Sequence, residues 1–185
     1  IIELFRELSD KKRSIIGLWG ELFLIYTSTS VEKTLQAWHE NPTDKYDFYH
    51  DNEALEVKCT TQTDRKHQFK HDQLVSNLND HYVASIMLSE DPVKGLSVVD
   101  LYEEIKKNCK VDNLNNKLKK IFFKTVGKTP FEELNEYKYD LNFSKKNLLY
   151  FKVKGLSKLE NKDESISNIN YTIDLAQKKS VDNLS

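Results

Sequence analysis

Cysteine is nearly absent, with only Cys59 and Cys109 in 185 residues. Their spacing suits neither a disulfide framework nor a zinc ribbon, so a reducing compartment, by default the cytoplasm, is the expectation. Net charge is nearly absent too: 28 lysines and arginines face 29 aspartates and glutamates. No global field draws in a polyanion, and any nucleic-acid contact must come from local patches. Long apolar runs are missing. Residues 22–26 fall far short of a membrane span and the first residues lack a signal-peptide pattern, so no membrane association is expected. No Gly-x-Ser-x-Gly elbow occurs. Gly127-Lys128-Thr129 imitates the end of a phosphate-binding loop, but Phe122 holds the earlier glycine position and excludes it. His67 and His71 have metal-like spacing without companion ligands.

What is present suffices for one ordinary domain with a real core, since 38% of the residues are hydrophobic. A single domain over residues 1–185 is expected, because no repeat or low-complexity tract marks a boundary. The chain begins at Ile1, without methionine, which predicts that an N-terminal portion of the full-length protein is lacking. Residues 14–30 read as a helix apolar on nearly every side, which is usual for an interior helix. Glu21 is the only charged side chain between Arg13 and Glu32. That carboxylate needs a partner, and a buried ion pair with Lys58 or an arginine would serve as well as a role in a site.

Residues 46–62 read as a hairpin around Asp51-Asn52, a pair that tolerates positive φ. With those two residues as the loop, Asp47 lies opposite Glu56, while alternation places Ala54, Glu56, Lys58 and Thr60 on one face. Like charges directly opposed in a sheet repel unless neutralised, and a divalent cation would neutralise them. Magnesium takes one or two carboxylates with waters and phosphate oxygens, which suits phosphodiester hydrolysis. The carbonyl of Val57 is a further potential ligand, and Lys58 a group able to act on water or on the phosphate. Residues 66–70 are ambiguous. Residues 71–78 read as a helix with Gln73 and Asn77 on one face, 82–88 as a buried strand, and 98–108 and 114–126 as amphipathic helices. Residues 148–153 and 169–175 read as strands separated by a polar loop around 161–165.

Four segments, Gly17-Leu18-Trp19-Gly20-Glu21-Leu22, Asp47-Phe48, Glu56-Val57-Lys58 and His71-Asp72-Gln73-Leu74, resemble the PD-(D/E)XK nuclease superfamily. They are most similar to one bacterial subfamily often encoded near restriction-modification or phage-defence genes. Residues 168–175 resemble that subfamily's C-terminal strand, so the similarity runs from 15 to about 175. Tyr46 stands where the superfamily's name has proline. The resemblance implies an α/β, restriction-endonuclease-like αβββαβ core, its mixed central sheet flanked by helices, with additional C-terminal helices and strands. It implies Mg²⁺- or Mn²⁺-dependent cleavage of DNA, as an endonuclease in restriction or phage defence. Asp47 and Glu56 would bind metal, Lys58 would serve catalysis, Glu21 would support the site and also be a possible ligand, and Gln73 would touch metal-bound water or DNA. A surface role for Gln73 remains open. The competing function is a catalytically silent module that binds DNA or protein, and a homodimer or defence-system partner is compatible with either.

Between Ile105 and Lys128, eight lysines face one aspartate, giving a candidate backbone-binding face that includes Lys117, Lys120 and Lys124. These three also fall opposite the apolar stripe of their helix, where any soluble helix carries charge. Lys66, Lys70 and His71 form a second candidate patch for DNA.

Overall fold

In the computed structural model, residues 2–41, 44–75, 77–78, 80–156 and 168–181 are described. The polar loop expected around 161–165 lies outside them. Two helices come first, α1 (Ile2–Thr27) and α2 (Val31–Ala37). α1 starts well before residue 14 and ends at Thr27, because Ser30 is the cap of α2, its side chain accepting from the Lys33 amide. Strands β1 (Phe48–His50) and β2 (Glu53–Thr60) form the expected hairpin. Asp51 and Asn52 adopt φ of 47° and 66°, the left-handed pair that a two-residue turn requires.

β3 (Lys66–Lys70), α3 (His71–Leu74) and β4 (Asp80–Met87) follow, then α4 (Val98–Asn108), α5 (Asp112–Val126), α6 (Phe131–Leu134), α7 (Leu141–Lys146), β5 (Leu148–Lys152) and β6 (Asn170–Asp174). The central sheet has the order β1-β2-β4-β5, with β2 and β4 parallel and the other pairs antiparallel. The fold is therefore α/β with a mixed sheet flanked by helices, consistent with a restriction-endonuclease-like core. The αβββαβ order survives in α1, β1, β2, β3, α3 and β4, but β3 leaves the central sheet and pairs with β6. Alternation explains the ambiguity at 66–70: His67 and Phe69 are buried while Lys66, Gln68 and Lys70 are exposed.

The helix expected over 71–78 stops after one turn. Val75 is extended, so Asn77 shares no helix face with Gln73. Only Leu74 of this element is buried, and Ser76-Asn77 offers the poor helix propensity of side chains that compete for the backbone.

Two apolar clusters lie on opposite faces of the central sheet. On one face Val57, Ala84 and Ile86, with partly buried Leu55 and Cys59, pack with Leu18, Trp19, Leu22 and Phe23 of α1 and the apolar stripes of α4 and α5. On the other, Val83 and Phe151 meet Phe69, Leu74 and Ile173. Gly20 allows α1 to lie close to β2, since a β-carbon there would stand 2.2 Å from Cys59 Sγ and 3.1 Å from Val57 Cγ1. Arg65 ties β3 to the second face: Nη1 donates to the carbonyl and Oγ of Ser85, both at 3.0 Å, and Nη2 to the Asn147 carbonyl at 2.6 Å.

Candidate functional site

The hairpin register pairs Phe48 with Leu55, Tyr49 with Ala54 and His50 with Glu53. Extended by one residue it sets Asp47 against Glu56, as the two-residue turn predicts. Asp47 Oδ2 accepts from the Val57 amide at 2.6 Å. The N–H and C=O of a strand residue leave on the same side, so the Val57 carbonyl faces the same edge of β2 as Asp47.

Glu56 is buried, 4% exposed. Lys58 Nζ sits 2.8 Å from its Oε1, and Gln73 Nε2 donates to the same oxygen. Gln73 Oε1 accepts from Lys58 Nζ at 3.3 Å and from the Lys70 amide at 2.9 Å. One turn of α3 thus places the glutamine across Glu56 and Lys58, rather than on an open surface. Lys58 Nζ also lies 5.3 Å from the centre of the Phe69 ring, which confines it to this face.

Glu21 reaches the cluster from α1. Its Oε2 accepts from Trp38 Nε1 at 2.6 Å and meets His39 Nε2 at 2.9 Å, so its immediate partners are neither Lys58 nor an arginine. His39 is fixed in turn by its amide, which donates to the Asp47 carbonyl at 2.9 Å. Sequence reasoning missed Trp38 and His39. Their signal was the lone carboxylate itself, but its partners lie 17 and 18 residues away, beyond an unrecognised helix.

Charge accumulates here. Burial, then Glu56, then Glu21 push the Asp47 carboxyl well above the ordinary aspartate range, against the pull of the Val57 amide and Lys58. Burial also raises Glu56, opposed by Lys58. Burial and the fields of Glu21 and Asp47 push the Cys59 thiol up, leaving it unsuited as a nucleophile. Asp47 and Glu56 share the field of one lysine, with Glu21 adding a third negative charge nearby, an imbalance that a cation would relieve.

The donor set is entirely carboxylate and carbonyl oxygen, the chemistry of Mg²⁺ or Mn²⁺. Among the described residues no three His, Cys, Asp or Glu side chains converge as a ready metal cage. Magnesium does not require one: one or two carboxylates with waters and substrate phosphate are its usual set. Asp47 and Glu56, with the Val57 carbonyl, therefore fit as ligands, and Glu21 adds its negative field to both.

The lysine patches divide. Lys117 Nζ donates to the carbonyls of Gln36, at 3.2 Å, and Trp38, and its side chain is only 10% exposed. Lys117 thus braces the segment that holds Glu21. Lys120 and Lys124 are exposed on the same helix, Lys124 donating to Asn41 Oδ1 at 3.0 Å. Lys66 and Lys70 are exposed on β3, Lys66 paired with Asp64 at 2.9 Å, while His71 Nδ1 lies 2.6 Å from the Tyr171 hydroxyl.

Among the described residues no helix is long and apolar enough to cross a membrane. Comparison with family models matches residues 2–176 to one described as "Putative PD-(D/E)XK family member, (DUF4420)". Comparisons with curated proteins and with solved structures find no match.

Proposed function

Since the chain belongs to this PD-(D/E)XK family, matched over residues 2–176, we propose that it is a metal-dependent nuclease that hydrolyses phosphodiester bonds of DNA, cutting internally, in restriction or phage defence. The observation that carries the reading is the facing pair of Asp47 and Glu56, each with its carboxyl held above its ordinary range, beside Lys58 at 2.8 Å from Glu56. A bound Mg²⁺ or Mn²⁺ would supply positive charge to the phosphate oxygens and acidify a water. Asp47, Glu56 and the Val57 carbonyl are the residues that would hold it. Lys58, once Glu56 turns to a metal, is free to orient the attacking water or to offset charge developing on the phosphate. Gln73 keeps both side chains in register and has a hydrogen-bonding amide to offer to water or DNA. Trp38 and His39 hold Glu21 beside the pair. Lys66, Lys70, His71, Lys120 and Lys124 are the residues for contact with DNA.

A second reading, a silent DNA- or protein-binding module, is favoured by one observation: Glu56 is already occupied by Lys58 and Gln73. Incubation of plasmid with the protein, with and without Mg²⁺, separates the two. Cleavage that requires the metal and falls roughly 10²–10³-fold in Lys58→Ala supports the enzyme. No cleavage with Mg²⁺ supports the silent module, and a variant that cuts as fast as the parent removes the catalytic role of Lys58.

A further inference from the structure

The two-stranded sheet formed by β3 and β6 has one face packed on the second apolar cluster through Phe69 and Ile173. Its other face is open. Antiparallel partners lie on the same face, and the register pairs Lys66 with Asp174, Gln68 with Thr172 and Lys70 with Asn170. Lys66, Gln68, Lys70, Asn170 and Thr172 are all exposed. Asp174 is partly committed, capping the following turn through the Ala176 amide. Asn170 Nδ2 donates to the Asn168 carbonyl, leaving its side-chain oxygen as an acceptor.

An antiparallel strand rises about 3.4 Å per residue and its neighbour lies about 4.8 Å away, so this ribbon is roughly 17 Å long and two strands wide. The major groove of B-DNA, about 12 Å wide, admits a two-stranded ribbon as it stands, whereas the minor groove, about 6 Å wide, takes strands at the cost of deforming the duplex. The exposed side chains suit that groove. Glutamine and asparagine pair with the N6 and N7 edge of adenine, lysine with O6 and N7 of guanine, and threonine with either a polar edge or the thymine methyl. The ribbon is also tied to the candidate active site, because the Lys70 amide at its end donates to Gln73 Oε1 at 2.9 Å, and Gln73 holds Glu56. A base contacted by the ribbon would therefore stand in a fixed relation to Asp47, Glu56 and Lys58.

We propose that the β3–β6 ribbon enters the major groove of double-stranded DNA and reads base edges through Gln68, Lys70, Asn170 and Thr172. The proposal rests on the nuclease reading for its choice of DNA, but it concerns binding and is tested without cleavage. In EDTA, the protein is used to select duplexes from a randomised pool. The enriched duplex is then remade with 7-deazapurines, which lack the N7 acceptor in the major groove. Affinity should fall about 5- to 150-fold for each base pair read through N7. Gln68→Ala/Thr172→Ala, both at exposed positions and checked for folding by circular dichroism, should lose the enriched preference. Lys70→Ala should relax the preference at the base pair it reads, lowering affinity for the enriched duplex about 5- to 150-fold. No enrichment, equal affinity for normal and 7-deaza duplexes, or an unchanged preference in the double variant would overturn the proposal. Mg²⁺-dependent cleavage with equal affinity for both duplexes removes the ribbon role and leaves the nuclease reading intact. Unequal affinity without cleavage does the reverse.

Discussion

Replacing Gly20 by alanine should damage both stability and the candidate metal site, because the added β-carbon has no room. It would stand 2.2 Å from Cys59 Sγ, 3.1 Å from Val57 Cγ1 and 3.5 Å from Ile86 Cδ1. Carbon and sulfur cannot approach to 2.2 Å, so Sγ, the end of a short side chain packed against the core, must turn into its neighbours or α1 must retreat from β2. Overpacking of this kind costs about 1–3 kcal/mol. Glu21 follows Gly20 directly, so any retreat also draws its carboxylate away from Asp47 and Glu56. Cys59→Ala removes the closest contact and leaves only the tight approach to Val57, so the double variant Gly20→Ala/Cys59→Ala should recover much of the loss. Urea denaturation of the four proteins gives the coupling energy, expected at about 1–2 kcal/mol in favour of the double variant. Calorimetric Mg²⁺ titration of the same four proteins reports the site. A Gly20→Ala protein as stable as the parent, or a double variant no better than the sum of its single changes, would refute the close approach of helix and strand.

Asp47→Asn should raise the metal-free stability at neutral pH while abolishing the rise in Tm on adding Mg²⁺. An acid whose folded pKa is raised contributes stability at low pH that is lost as pH climbs through its folded pKa, and the amide carries no such loss. Thermal melts across pH, with and without metal, check both signs. Lys58→Ala should destabilise the metal-free protein by about 3–5 kcal/mol, since it strands the buried Glu56 charge. Added Mg²⁺ should restore part of that loss, and a melt unaffected by the substitution would remove the ion pair from the account. His67 is held neutral by burial, its pKa depressed to about 4, so its share of stability is complete above pH 6.5 and lost as pH falls towards 4. The loss approaches about 3 kcal/mol, and His67→Gln should flatten the stability curve in that window. Lys117→Met should cost about 1–3 kcal/mol by releasing the carbonyls of Gln36 and Trp38. It should leave the salt slope of DNA binding unchanged, and a slope reduced by about one would return Lys117 to the backbone-binding group.

The site's sheet residues were legible because a strand has a period of two and a two-residue turn has a fixed register. Asp51-Asn52 alone aligned Asp47 with Glu56, and alternation then carried Lys58 to the same face. The long, evenly apolar stretch around Trp19 likewise announced a buried helix. Other features depended on contacts between distant segments, which local pattern does not encode. β3 reads ambiguously because its partner, β6, lies about a hundred residues on, as the pairing of Phe69 with Tyr171 illustrates. α3 stops after Leu74 because no later described side chain of the expected helix is buried to hold it, which the local pattern does not reveal. Trp38 and His39 lie on an irregular segment whose role comes only from meeting Glu21. Lys117 looked like a solvent-facing charge by helical periodicity, yet the neighbouring segment folds over it and claims its donors.

The ion pair between Lys58 and Glu56 changes what a loss of activity would mean. The sequence makes Lys58 a group able to act on water or on the phosphate, a role whose loss lowers the rate without touching the fold. In the structure the same ammonium balances a carboxylate buried at 4% exposure, so removing it disturbs stability as well as chemistry. The two effects separate by their response to a cation. A metal bound at Asp47 and Glu56 would replace the missing charge and recover stability, but it would not supply the lysine's donors to water or phosphate. A Lys58→Ala protein that regains its Tm in Mg²⁺ and remains slow therefore assigns the deficit to catalysis, whereas one that regains both assigns Lys58 to holding Glu56 alone. Gln73 sharpens the distinction because it contacts both partners. Gln73→Ala leaves the charges in place, so it should lower the rate by loosening Lys58 with little change in the Mg²⁺ dependence of stability.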